Sequence, residues 1–127
     1  MSKFLTELEV TMIDDSSNEG RGTWQLEQDL LYQSDVAGVT LRVPAGFLTD
    51  FASVPRITGI GFLLAGDSCH EAAVIHDYLY RTVPHPTTRA IADKVLREAA
   101  ILTGVPAWRA QIVYLGVRIG GAFSWGT

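Results

Sequence analysis

Ser68-Cys69-His70-Glu71-Ala72-Ala73-Val74-Ile75-His76-Asp77-Tyr78-Leu79-Tyr80-Arg81 is the stretch on which the fold turns. Before it the apolar residues recur with the two-residue period of strands, and after it they recur with the period of helices. Ser68 and Glu71 form a capping box, in which the serine hydroxyl takes a free backbone N–H of the first turn while the glutamate reaches back to the cap. Ala72, Ile75 and Leu79, flanked by Ala73 and Tyr80, make a broad apolar stripe, which predicts a helix over Cys69 to Arg81. Downstream, Thr87 or Thr88 can cap a second helix carrying Ile91, Val95, Leu96, Ala99 and Leu102 until Gly104 stops it. Pro106 suits the first position of a third helix running through Trp108, Ile112, Leu115 and Ile119 towards Gly120-Gly121.

Upstream, Leu8, Val10 and Met12 alternate with Glu7, Glu9 and Thr11, which predicts one strand over Phe4 to Ile13. The turn formers from Asp14 to Gly20 read as a loop, Trp24 to Leu26 and Leu30 to Gln33 as short strands, and Val39 to Val43 as another. Pro44-Ala45-Gly46 then bends the chain, and Leu48 to Arg56 has neither period, so it reads as an ordered, partly buried loop. Strands first and helices second, with no βαβ alternation, indicate an α+β fold. The expectation is a small antiparallel sheet from the N-terminal half packed against about three helices from the C-terminal half, in a single domain over residues 1–127.

The 127 residues, 47% of them hydrophobic, suffice for one packed core and are few for two. A net charge of −4, with the arginines scattered, argues against a phosphate backbone as partner. Cys69 is the only cysteine, which excludes an intrachain disulfide and a four-cysteine zinc site. Acids in the first nine residues argue against an export signal, and the uncharged run from Ile57 to Ala65 is about half of a membrane span. Synthesis in a reducing cytoplasm is therefore expected.

His76 and Asp77 stand in mid-helix among Val74, Ile75, Tyr78 and Leu79, where a buried charge is costly unless partnered. Asp50, Ser53, Asp93, Arg97 and Arg118 are the candidate partners, with Thr49 in the same loop as Asp50. Adjacent helical residues point about 100° apart, so the two groups serve different partners and cannot chelate one ion from one face. One reading has His76 acting on a water while Asp77, with Asp50, binds calcium or another divalent cation. The other is a polar knot tying the helix to the Thr49 to Pro55 loop with no turnover. Tyr80 shares the histidine's face. Asp93 reads as a surface group paired with Arg89 and Arg97 at four residues to either side. His70 is a conceivable but distant metal partner for Asp77, and His85 reads as a solvated loop residue.

The segment Val43-Pro-Ala-Gly-Phe-Leu-Thr-Asp-Phe-Ala-Ser-Val-Pro-Arg56, then Ala72-Ala-Val-Ile-His-Asp-Tyr-Leu-Tyr80, Ala92-Asp93 and the Tyr114, Val117, Arg118, Gly120, Trp125 series, resembles a small family of tailed-phage and prophage proteins catalogued as a domain of unknown function, DUF1353. That resemblance implies a phage origin near structural and tail modules. More locally, His76-Asp77-Tyr78-Leu79-Tyr80 is similar to the His-Asp helix of secreted phospholipase A2 enzymes. It implies His76 as general base, Asp77 as calcium ligand, Asp93 as the residue that orients the histidine, and Gly59 and Gly61 as part of a cation loop. Leu79 stands where those enzymes have a cysteine.

Two function classes follow. The first is a virion, tail-associated or morphogenesis component whose His-Asp centre holds the fold and which binds other phage structural proteins. The C-terminal aromatics Phe123 and Trp125 either pack back on the domain or mediate oligomerisation. The second is a metal-assisted hydrolase, phospholipase-like or acting on cell-wall material, with His76, Asp77, Asp50 and Asp93 at its centre.

Overall fold

The computed structural model describes residues 2–14, 23–49, 70–123 and 125. Within them lie strands β1 (Lys3–Phe4), β2 (Val10–Asp14), β3 (Thr23–Leu26), β4 (Leu30–Ser34), β5 (Val39–Val43) and β6 (Leu48–Thr49), then helices α1 (His70–Arg81), α2 (Arg89–Leu102) and α3 (Ala107–Gly120), and a 3-10 turn over Gly121–Phe123. The strands pair antiparallel in two three-stranded sheets, ordered β1-β4-β5 and β2-β3-β6. Sheets in the N-terminal half and helices in the C-terminal half make the fold α+β.

The expected strand from Phe4 to Ile13 is divided between the two sheets. Half-buried Phe4, Thr6, Leu8 and Val10 do alternate with exposed neighbours along the whole stretch. Between the strands, however, Thr6 leaves the ladder: its hydroxyl donates to the Asp29 carbonyl and accepts from the Leu31 amide, both at 2.9 Å. A period of two reports an extended chain with one face inward and does not report which strand it pairs with.

β4 and β5 form the best-defined hairpin, with Leu30 facing Val43 and Tyr32 facing Leu41 in register. Leu30, Tyr32, Leu41 and Val43 turn inward to the helices. Glu98 of α2 fastens this hairpin from the helical side. It accepts from the Tyr32 hydroxyl at 2.7 Å, the Ser34 hydroxyl at 2.8 Å and the Val36 amide at 3.0 Å. Leu48–Thr49, expected to be irregular, instead adds a short strand to β3 and sets Thr49 opposite Trp24. The remainder of that loop, from Asp50 to Arg56, lies outside the described residues, as do the polar loop beyond Asp14 and Ser68 of the capping box.

α1 packs on α2 and against β5 and β6, and α2 packs on α3. Ala72, Ile75 and Leu79 of α1 and Val95, Leu96 and Ala99 of α2 are fully buried, as their spacing predicts. Thr88 is the cap of α2, its hydroxyl accepting from the Ile91 amide at 3.2 Å. The helix ends before Gly104, whose φ of +113° favours a residue without Cβ. Pro106 occupies the N-cap of α3 rather than its first turn.

Two helix faces differ from those read along the sequence. In α2 the buried arc takes in Ala92, Asp93 and Ala100, while Ile91 is half-buried and Leu102 exposed. In α3 the buried face is made of small residues, Ala110, Val113, Gly116 and Val117, and the larger Trp108, Ile112, Leu115 and Ile119 face outward. Close approach to α2 favours the small face over the bulky one. No helix of the described residues is long and apolar enough to cross a membrane.

Candidate functional site

The core of the helical layer contains one polar centre, and its hub is Asp93. Contrary to the surface position expected for it, Asp93 is 0% exposed. It lies in α2 seven residues before Ala100, hence on nearly the same azimuth, and that alanine is buried too. Its Oδ1 accepts from His76 Nε2 at 2.9 Å and from the Tyr80 hydroxyl, both on α1. Its Oδ2 accepts from Arg118 Nη1 of α3 at 2.9 Å, and Arg89 Nη1 lies 3.7 Å away. One carboxylate thus joins all three helices. Burial pushes the Asp93 pKa up, but the hydrogen bonds from His76 and Tyr80, the interaction with the charge of His76 and the hydrogen bond from Arg118 outweigh it, leaving the group below its ordinary 3.8.

An ionised carboxylate only accepts, so His76 carries its proton on Nε2. The Tyr80 hydroxyl stays protonated, since burial and the hydrogen bond to Asp93 both raise its pKa. Its ring stacks obliquely on that of His76, with centroids 4.2 Å apart. Tyr80 therefore does share the histidine's face, and the two residues share one acceptor.

Asp77 points elsewhere, as the 100° helical step requires. Its Oδ2 accepts from the Thr49 hydroxyl of β6 at 2.8 Å and from Arg81 Nη1 at 2.9 Å. The same Arg81 nitrogen donates to the Leu48 carbonyl at 2.9 Å. Asp77 and Arg81 clamp β6 to α1, so the helix is tied to the sheet through one face and to its sister helices through the other. Thr49 reaches the helix, whereas its neighbours Asp50 and Ser53, with Gly59 and Gly61, lie outside the described residues. Arg97 takes no part: it donates to Gln111 at 2.8 Å and lies over the Tyr114 ring.

Arg81 is the member that the sequence reading passes over, and Arg89 is the one that it places on a helix surface beside Asp93. Arg81 stands four residues after Asp77, which is a sufficient signal for the pair. Arg89 was expected at a surface, but it is the cationic cap of α3, donating to the carbonyls of Val117 at 3.1 Å and Arg118 at 3.2 Å. The C-terminal turn closes the centre. Gly121 passes so near Tyr80 that a Cβ there would lie 2.5 Å from the hydroxyl oxygen. Trp125 packs edge-on against Tyr80 with centroids 5.0 Å apart and stacks on His85 at 3.6 Å. His85, expected to be solvated, is half-buried by this stack and approaches the Leu79 carbonyl through Nδ1 at 3.2 Å. The Phe123 side chain lies outside the described residues.

The chemistry open to this arrangement is narrow. A calcium ion at Asp77 would meet the Arg81 guanidinium on the same carboxylate oxygen, so the described residues do not fit a cation there. Among them, no group of three or more His, Cys, Asp or Glu is placed to hold a metal. A histidine oriented by a carboxylate is present, but it is sealed under Tyr80.

A family model described as "Protein of unknown function (DUF1353)" matches residues 24–117. The chain belongs to the DUF1353 family. The matched span takes in Thr49, His76, Asp77, Tyr80, Asp93 and Glu98, that is, both helix-to-sheet ties and the α1 and α2 members of the polar centre. Arg118 and the closing turn lie just beyond it. Neither the curated proteins nor the solved structures contain a match to this DUF1353 chain.

Proposed function

We propose that the chain is a tailed-phage or prophage component, virion-associated or acting in tail morphogenesis, made in the host cytoplasm and working by binding other phage structural proteins. In this reading the His76-Asp77 pair is a structural device with no turnover. The observation that carries it is that His76 and Asp93 are both 0% exposed, with Asp93 accepting from donors on both neighbouring helices, α1 and α3. A catalytic base needs a path to water and substrate. A sealed carboxylate hub instead specifies how helices pack. The phage assignment is supported by the motifs Gly46-Phe-Leu-Thr-Asp-Phe-Ala-Ser-Val-Pro55 and His76-Asp-Tyr-Leu-Tyr80.

One observation favours the hydrolase alternative: the 2.9 Å contact from Asp93 to His76 Nε2 is the kind a histidine-orienting carboxylate makes. Melting of His76→Ala and Asp77→Asn, with and without calcium or zinc, separates the readings. The structural role predicts a loss of about 3 kcal/mol or more for His76→Ala, with no metal dependence in either variant. A folded His76→Ala with near-normal melting temperature, or metal stabilisation lost in Asp77→Asn, points to catalysis instead. For the phage role, deletion of the gene from the phage that carries it should stall particle assembly. Normal infectious titres after deletion sink it.

A further inference from the structure

The chain over residues 3–9 runs along the outer side of both sheets and bonds through only one of its edges. In an extended chain successive residues turn their N–H and C=O groups to opposite edges. The Leu5 amide donates to the Leu31 carbonyl at 2.8 Å, the Glu7 carbonyl accepts from Gln28 Nε2 at 2.9 Å, and the Glu9 carbonyl accepts from the Glu27 amide at 2.8 Å. Phe4 and Leu8, at alternate positions, therefore turn their backbone groups to the other edge, where among the described residues nothing bonds to them. A groove of about 570 Å³ lies here, lined by residues 4–8 and, across from them, by Glu71 of α1 and Thr103 at the end of α2. Leu5 and Glu7 turn outward while Phe4 and Leu8 turn inward, so a groove that touches all four opens along the edge of the chain. Its two acids, exposed Glu7 and half-buried Glu71, make no hydrogen bond or salt bridge through their carboxylates to any described residue.

Building on the binding role proposed above, we infer that this groove takes an extended basic segment of another phage structural protein, added to the free edge as a strand. Such a strand pairs its own backbone with the N–H and C=O groups of Phe4 and Leu8. Residues 4–8 span up to about 13 Å at 3.3 Å per residue, room for about four or five residues of the partner. Side chains of an added strand alternate between its faces. Those turned outward meet Leu5 and Glu7, and those turned inward lie against half-buried Phe4 and Leu8 on the side of Glu71. Each face thus offers apolar surface beside a carboxylate that lacks a cation. Lysine and arginine match this chemistry, because their aliphatic stems cover apolar surface while their charged heads meet the acid. The net charge of −4 draws a basic segment in, and it disfavours a second copy of this chain as the occupant.

Fluorescence anisotropy of the full chain with fluorescein-labelled Val-Arg-Val-Arg-Val-Arg tests the proposal, set against the same peptide N-methylated at every backbone amide. The plain peptide should bind saturably. The N-methylated one keeps its charge but has no donor for the edge, and should bind about tenfold more weakly or worse. Glu7→Gln combined with Glu71→Gln should raise the Kd of the plain peptide about fivefold. The comparison of the two peptides uses wild-type protein, so it stands whether or not the double variant folds. Equal binding of both peptides overturns the proposal and leaves only the attraction of net charge. Absence of binding overturns it too, as does a double variant that circular dichroism shows folded and that binds like the wild type. A wild type that binds no peptide but sediments as a dimer overturns it in favour of a second copy along the edge. Each of these failures leaves the phage role standing, since gene deletion tests that role separately.

Discussion

At the residue scale, Asp93 decides the character of the molecule. It is held ionised in a buried site by donors from α1 and α3, so an amide in its place removes the charge and sets an NH2 group against the Arg118 guanidinium, leaving that cation without its acceptor. Asp93→Asn should cost about 3 kcal/mol or more in unfolding free energy near neutral pH, measured by urea titration. Because its folded pKa lies below 3.8, the contribution is fully present above pH 4 and fades as the pH falls through the folded value. The gap between wild type and Asp93→Asn should therefore narrow in acid, and a gap that widened there would contradict the assignment. Gly121 carries a second residue-scale prediction. An alanine at this position must displace the Tyr80 hydroxyl, which Asp93 pins, so Gly121→Ala should destabilise by about 1 to 3 kcal/mol in thermal or urea unfolding.

Helices α1 and α2 were legible as elements because each carries its own end signals and period. The Thr88 cap is local chemistry, and Thr88→Ala should cost about 1 kcal/mol, read as a drop in the urea midpoint with an unchanged slope. The two sheets were legible only in part. Alternation in residues 3–14 identified an extended chain, whereas its transfer from one sheet to the other depends on Thr6 bonding to Asp29 and Leu31, more than twenty residues away. Leu48–Thr49 was missed for a related reason: two residues are too few to show a period, and only pairing with β3 makes them a strand. In α3 the bulky stripe is the more conspicuous pattern in the sequence, and the small-residue face that packs on α2 is the quieter one.

For the molecule as a whole, the C-terminal turn acts as the closure of the helical layer. Trp125 covers Tyr80 and holds His85, while Gly121 lets the chain pass over the hub. Removal of residues 121–127 should lower the melting temperature, and Trp125→Ala alone should cost on the order of 2 kcal/mol, because a half-buried aromatic is lost from two ring contacts. An unchanged melting temperature in the truncated chain would show that the turn is an appendage. The amino-acid sequence by itself determined the class of fold, the capped helix α2 and the pairing of His76 and Asp77 with different partners, because caps, periods and the 100° step are properties of neighbouring residues. Tertiary structure alone decided that Asp93 is buried, that Arg118 and Thr49 are the distant donors, and which face of α3 turns inward. A charged group between two arginines four residues away on either side has the pattern of a surface helix, and its burial becomes favourable only when donors from α1 and α3 arrive together to replace water.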